Sequence, residues 1–152
     1  MAAPHPVLVE CAIRALGFSV VDMSVLRSTL RTKQKQQELF DAGMSQTLDS
    51  LHLPQASGYV HAIDLGAYVA GRVSWRSEHY FDVAEAMQSA ARQLGAPVTW
   101  GGCWSRIDGV ETIYELHSRY IAKVAARPLR ANGMPHRPFF DGPHFQLPRD
   151  FI

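Results

Sequence analysis

Asp141-Gly142-Pro143-His144-Phe145-Gln146-Leu147 is the stretch from which the fold and the site of this chain are predicted. Gly142 and Pro143 break the extended geometry between Asp141 and His144, so that the two side chains can converge on one point. The residues from His144 to Leu147 then have the pattern of a last strand. Taken alone, Asp-Gly-Pro is more typical of a turn, but an imidazole and a carboxylate that converge are residue types that a hydrolytic zinc site uses.

A second segment offers the remaining residues that such a site needs: Ser50-Leu51-His52-Leu53, followed by His61-Ala62-Ile63-Asp64-Leu65. A hydrolytic zinc site takes about three protein ligands from His, Asp or Glu and leaves one position for water. None of the seven histidines lies in a His-Glu-x-x-His motif, which argues against a pair of ligands on one helix. The ligands are therefore predicted to come from loops and strand ends.

Helices and strands alternate irregularly along the rest of the chain, which predicts a single α+β domain over residues 1–152. Residues 67–75 are predicted as a hairpin or as an irregular extension of the strand before them. The predicted helices cover residues 5–16, 32–42, 78–94 and 114–125, and the predicted strands cover residues 18–26, 59–65, 97–100 and 144–147.

Composition and charge exclude several classes of function. Fifteen Lys and Arg against fourteen Asp and Glu give a net charge of +1 over 152 residues, which offers no electrostatic case for nucleic acid as a partner. No run approaches the roughly 20 apolar residues that span a bilayer. Cys11 and Cys103 lie in no Cys-x-x-Cys spacing, so we expect free thiols rather than cysteine-ligated zinc.

The two segments resemble phage endolysin peptidases of the L-alanyl-D-glutamate type and, more distantly, bacterial zinc D-Ala-D-Ala carboxypeptidases and dipeptidases. The shared pattern is Ser-x-His-x-x-Gly-x-Ala-x-Asp with a later Asp-Gly-Pro-His-Phe. The resemblance extends from about Val20 to Leu147 and implies a hedgehog/DD-peptidase-like fold, a small antiparallel sheet flanked by helices. Other segments in the family's order are Leu26-Arg27-Ser28, Gln36 to Gly43, Val83 to Met87, and Trp100-Gly101-Gly102 with Trp104.

The resemblance also implies roles for individual residues. His52, Asp64 and His144 match the family's zinc ligands, and Asp141 matches its catalytic base. Arg27 matches an arginine near the site and would stabilise the oxyanion, although a surface salt bridge explains it equally well.

The spacing between the first two ligands departs from the family's pattern. That pattern places the Asp seven residues after the His, whereas His52 and Asp64 are twelve apart, as though about five residues around Pro54 to Gly58 were inserted. A gap-free alignment would instead put Ser57 at the first ligand position. His61 is a rival ligand, but residues three apart in a strand point to opposite faces, so it should not share a metal with Asp64.

The function implied by the resemblance is that of a zinc-dependent endopeptidase that hydrolyses the peptidoglycan stem peptide at L-Ala-D-Glu. Such an enzyme would be a monomer that waits in the host cytoplasm and reaches the wall in the periplasm after a holin opens the membrane. The N-terminal residues carry no basic segment leading into an apolar stretch, which agrees with this route. The alternatives are a D-Ala-D-Ala carboxypeptidase and a non-catalytic module that binds cell walls.

Overall fold

The computed structural model describes residues 2–152 as four helices and six short strands. The fold is α+β, as the sequence predicts. In chain order the elements are α1 (Pro6–Leu16), β1 (Asp22–Val25), a 3-10 turn (Arg27–Thr29), α2 (Lys33–Asp41), β2 (Ala62–Val69), β3 (Arg72–Ser74), α3 (Ser77–Leu94), β4 (Thr99–Trp100), β5 (Ser105–Arg106), α4 (Ile113–Ala125) and β6 (His144–Gln146).

The strands form one antiparallel sheet in the order β1-β2-β6-β4-β5, and β3 pairs with β2 as a hairpin. Strand β2 occupies a central position and pairs with β1 on one side and β6 on the other. Ala70 and Gly71 connect β2 to β3 with positive φ angles of 52° and 75°, as a tight hairpin turn requires. Helix α3 packs on β2, and α1 and α4 pack on α3.

Alternation along β2 separates the core from the opposite face of the sheet. Ile63, Leu65 and Ala67 are buried in the hydrophobic core, whereas Asp64 lies between two of them and must point the other way. In β6 Phe145 is buried in the same core beside His144. Each large apolar side chain buried in this way contributes roughly 1.5–3 kcal/mol. A register slip of one residue would put Asp64 into the core, so the core fixes the position of the polar residues.

The helices end where the sequence predicts. Helix α3 stops at Leu94 because Gly95 adopts the left-handed conformation with φ 60°. Helix α4 starts with a capping box between Thr112 and Glu115. Among residues 2–152 no helix is long and apolar enough to cross a bilayer.

The strands depart from the prediction in length. The first strand covers Asp22–Val25 rather than residues 18–26, because Phe18 and Ser19 still donate backbone hydrogen bonds to Ala15 at the end of α1. The strand predicted over residues 59–65 begins at Ala62 and continues to Val69. The two-residue strand β5 was not predicted, since so short a strand carries no periodic pattern.

Candidate metal centre

Asp64 and His144 are brought together by strand pairing. The two residues are direct partners in the antiparallel ladder between β2 and β6, and such partners project their side chains to the same face. The Asp64 Oδ1 atom lies 3.4 Å from His144 Nδ1. On its other side the Asp64 carboxylate accepts a 2.5 Å hydrogen bond from the Ser28 hydroxyl.

His52 reaches the same point although it is twelve residues from Asp64 in the sequence. The extra residues form a closed turn, in which Pro54 and Val60 make an antiparallel bridge. After this turn the chain returns to the residues that precede it, where the His61 amide donates to the Leu51 carbonyl at 2.9 Å. As a result His52 Nε2 lies 3.4 Å from Asp64 Oδ1.

Hydrogen bonds on the outer side of each imidazole fix how the two rings present their lone pairs. His52 Nδ1 lies 2.9 Å from the Thr29 carbonyl, and His144 Nε2 lies 2.7 Å from Gln146 Oε1. Both partners are acceptors, so these nitrogens carry the hydrogens. When both rings are neutral, the lone pairs on His52 Nε2 and His144 Nδ1 face each other across 3.2 Å, an arrangement that a cation between them would stabilise.

The three buried side chains of His52, Asp64 and His144 lie close enough together to hold a metal ion. One ligand atom from each lies within 4.8 Å of the other two, and the part of the chain from residue 2 onward holds no second group of this kind. Two imidazole nitrogens and one carboxylate oxygen are a donor set found in catalytic zinc sites, which leave one position open.

Burial and hydrogen bonding shift the pKa values of these groups. Burial alone would raise the pKa of Asp64, but the adjacent His144 and His52 side chains and the hydrogen bond from Ser28 outweigh burial and hold the pKa well below its usual range. Burial would lower the pKa of His144, yet its bonds to Asp64 and Gln146 raise it instead. Asp64 therefore stays an anion, which suits a metal ligand.

Asp141 lies at the edge of this centre with a different electrostatic setting. Burial raises the pKa of its carboxyl, while the neighbouring His144, His52 and Arg31 side chains oppose the shift. Within residues 2–152 its carboxylate makes no hydrogen bond or ion pair. A half-buried carboxylate with no partner is available to take a proton.

Gly101 holds the turn between Asp141 and His144 from both ends. Its carbonyl accepts from the Asp141 amide at 3.0 Å, and its own amide donates to the His144 carbonyl at 2.8 Å. A Cβ atom on Gly101 would lie 2.4 Å from the Asp141 carbonyl oxygen and 3.0 Å from the His144 Cβ. Only glycine allows the loop after β4 to approach the turn this closely.

Comparison with known proteins identifies the family of this chain. A sequence model of the phage L-alanyl-D-glutamate peptidase family matches residues 1–117, more than half of the chain. The chain belongs to this family. It is also similar to the crystal structure of the L-Ala D-Glu endopeptidase ChiX of Serratia marcescens, with 34% sequence identity and a TM-score of 0.65 over 96% of this chain and 81% of that chain. Among curated protein sequences none matches significantly.

The arginine of the peptidase that lies nearest the centre is Arg31, which the sequence analysis did not single out. Its Nη2 atom lies 3.8 Å from Asp64 Oδ2, and its other nitrogens donate to the Ser28 carbonyl at 3.1 Å and to Gln36 Oε1 at 3.2 Å. Arg27 is exposed and, within residues 2–152, forms no ion pair. The catalytic role of Arg27 stays a prediction.

His61 of the peptidase has both ring nitrogens engaged away from the three residues of the centre. Nε2 lies 2.7 Å from the Ser57 hydroxyl and Nδ1 lies 2.8 Å from the Pro148 carbonyl. Ser50 accepts a 3.2 Å hydrogen bond from the His52 amide and so holds the loop that carries this ligand. Cys103 is buried, and burial raises the pKa of its thiol, which disfavours a nucleophilic thiolate.

Other residues that position the ligands also escaped the sequence analysis. Thr29 holds two of them, since its hydroxyl accepts from the Asp64 amide at 2.9 Å and its carbonyl faces His52. It follows directly on Leu26-Arg27-Ser28, a segment to which the resemblance extends. Gln146 is visible in the sequence two residues after His144, but only the fold shows that its side chain returns to the ring.

Proposed function

We propose that this peptidase hydrolyses the L-Ala-D-Glu bond of the peptidoglycan stem peptide with zinc held by His52, Asp64 and His144. The observation that supports this most directly is the convergence of two imidazole lone pairs and one carboxylate oxygen at a single buried point. The donor set suits zinc. When bound, the zinc ion would polarise the scissile carbonyl as a Lewis acid and make an attacking water more acidic.

Asp141 is the proposed general base and general acid. Its raised pKa brings the carboxylate closer to the value at which it can both accept and release a proton at neutral pH. In the forward reaction it takes a proton from the attacking water and then delivers it to the leaving amine of D-Glu. The turn that Gly101 holds keeps this carboxylate at the edge of the centre.

Arg31 is the proposed side chain that stabilises the oxyanion formed during the reaction. Negative charge develops on the carbonyl oxygen as water attacks, and a fixed cation next to that oxygen stabilises the transition state. Arg31 is held by Ser28 and Gln36, so little reorganisation is needed during the reaction. Arg27, implied by the resemblance, is the competing candidate for this role.

The biological role we propose is lysis of the host cell at the end of a phage cycle. Membership of a family of phage peptidases supports it. In this proposal the enzyme acts on the wall from the periplasmic side after a holin has opened the inner membrane. Expression alone should then leave host cells intact, whereas co-expression with a holin should lyse them.

The experiment that tests the enzymatic proposal combines metal analysis with product analysis on a soluble stem peptide. Wild type should contain one zinc per chain and release a fragment with a new D-Glu amino terminus. His52→Ala should lose zinc and activity, while Asp141→Asn should keep zinc and lose activity. As a control, His61→Ala should keep both the zinc ion and the activity. Free D-alanine as the product would indicate a carboxypeptidase instead, and wall binding without hydrolysis would indicate a non-catalytic module.

A further inference from the structure

Positive charge is concentrated in one segment near the end of the chain. Residues 123–137, here called the cationic segment, contain Lys123, Arg127, Arg130 and Arg137 and no Asp or Glu. The remaining residues carry eleven Lys and Arg against fourteen Asp and Glu, so the rest of the chain is net negative. The segment lies beyond residue 117, where the match to the family's sequence model ends.

The four cations are exposed and free of partners. All four side chains lie at the surface, and none forms an ion pair with any acid in residues 2–152. Most of the other cations within residues 2–152 lie beside an acid, as Arg14 does beside Glu10 and Lys35 beside Glu38. The segment therefore presents an uncompensated positive surface, which attracts anions over about 10 Å at 0.1 M salt.

The cationic segment is fixed to the rim of the metal centre. Before it, the Tyr120 hydroxyl donates to the Phe139 carbonyl at 3.0 Å and accepts from the Phe139 amide at 2.9 Å. Trp104 Nε1 donates to the same carbonyl at 3.0 Å, and the Trp104 ring lies 5.4 Å from the His144 ring. The chain thus leaves the rim at Tyr120 and returns to it at Phe139, two residues before Asp141.

The segment also has internal order. The Gly133 amide donates to the Arg130 carbonyl at 2.8 Å, and the Arg130 amide donates to the Met134 carbonyl at 2.8 Å. Gly133 takes the positive φ of 78° that this turn requires. The segment is therefore an ordered turn between its two anchors at Tyr120 and Phe139, rather than a loose tail.

We infer that the cationic segment is a docking surface for intact peptidoglycan, which binds the carboxylates of stem peptides next to the one being cleaved. The identity of this polymer rests on the proposed function. A glutamate within a peptide keeps one carboxyl free, so every stem peptide of the substrate carries negative charge. A wall strand repeats this charge, and several weak contacts on one strand add to the affinity of the active site. Continuity with the rim places the segment beside the same strand.

The test compares two variants that change the net charge equally. Arg127→Gln/Arg130→Gln removes two charges from the segment, and the matched control Lys33→Gln/Arg72→Gln removes two exposed, unpaired charges elsewhere. Each pair is placed in an Asp141→Asn background, so that purified peptidoglycan is not digested, and binding is measured by co-sedimentation. We expect the segment variant to bind about five-fold more weakly at low salt and the control to bind as the parent does. High salt should remove the difference.

Activity on a soluble substrate provides the second readout. With Asp141 intact, the segment variant should keep the wild-type kcat/KM on a single free stem peptide, because that substrate has no neighbouring stems. Equal weakening by the control pair would overturn the inference, and so would a matching loss on the free stem peptide. Stronger binding to anionic lipid vesicles than to peptidoglycan, lost in Leu129→Ser/Met134→Ser, would assign the segment to a membrane instead.

The two proposals fail in different ways. If wild type does not hydrolyse the free stem peptide, the proposed function is wrong, yet co-sedimentation still decides whether the segment binds the wall. If hydrolysis occurs and the segment variant sediments as well as the control does, only the docking surface is wrong.

Discussion

Asp64 and His144 face each other directly across two antiparallel strands, with Asp64 Oδ1 3.4 Å from His144 Nδ1. The neighbours of both residues are core side chains, Ile63 and Leu65 on one strand and Phe145 on the other. Packing of these core side chains therefore also fixes the distance between Asp64 Oδ1 and His144 Nδ1.

Gln146→Ala should weaken metal binding without removing a ligand. The variant loses the acceptor 2.7 Å from His144 Nε2, so the ring is free to rotate or to present the wrong nitrogen. Losses of about 10- to 100-fold in metal affinity are typical when such a partner is removed. Competition with a chromogenic chelator measures the affinity. Gln146→Glu keeps an acceptor and should bind as tightly as wild type, and an unchanged affinity in Gln146→Ala would show that the bond is dispensable.

Gly101→Ala should impair both folding and activity. The new Cβ would meet the Asp141 carbonyl oxygen at 2.4 Å, and backbone shifts of this kind cost about 1–3 kcal/mol. Gly109→Ala is the matched control, because a Cβ there meets nothing within 4 Å. Thermal unfolding and kcat/KM check both variants. Wild-type activity in Gly101→Ala would mean that the Asp141 turn has room to move without loss of function.

Asp141→Asn should stabilise the metal-free protein at neutral pH. Because burial raises the pKa of Asp141 in the folded state, its contribution to stability is fully present below the unfolded pKa and is lost as pH rises through the folded pKa. Asn does not titrate, so the stability gained over wild type should grow with pH above about 4. Melting temperatures of the metal-free proteins between pH 4 and pH 8 measure it. A gap that is constant with pH would argue that the carboxyl titrates normally.

Arg31→Gln should lower kcat while leaving the metal in place. Removing one stabiliser of transition-state charge typically costs about 10²- to 10³-fold in kcat, and Arg31 is the cation 3.8 Å from the Asp64 carboxylate. Arg27→Gln should change kcat by less than about two-fold, since exposed charges contribute little. Steady-state kinetics with zinc-loaded protein separates the two. A larger loss of kcat in Arg27→Gln than in Arg31→Gln would instead assign the oxyanion to Arg27, as the resemblance implies.

A helix or strand was predictable from the sequence where its hydrophobic periodicity extended over several turns or where a glycine marked its end. Helix α3, for example, runs from Ser77 to Leu94 and stops at Gly95, one residue from the prediction at its start. The first strand was overestimated because Phe18 and Val20 are apolar but exposed. The backbone hydrogen bonds at the end of α1 set the position of this segment, and a hydrophobic pattern does not reveal such bonds.

By itself the sequence determined the α+β class, the family, and the residue types of the centre, because His52, Asp64, Asp141 and His144 lie in motifs whose order along the chain is visible. Tertiary structure decided whether these residues meet. The turn closed by Pro54 and Val60 cancels the longer spacing before Asp64. The choice of Arg31 over Arg27 as the nearest cation depends on side-chain directions that follow from packing across the whole chain. A sequence pattern records which groups are present, whereas distances between them arise only when the core and the sheet register are fixed.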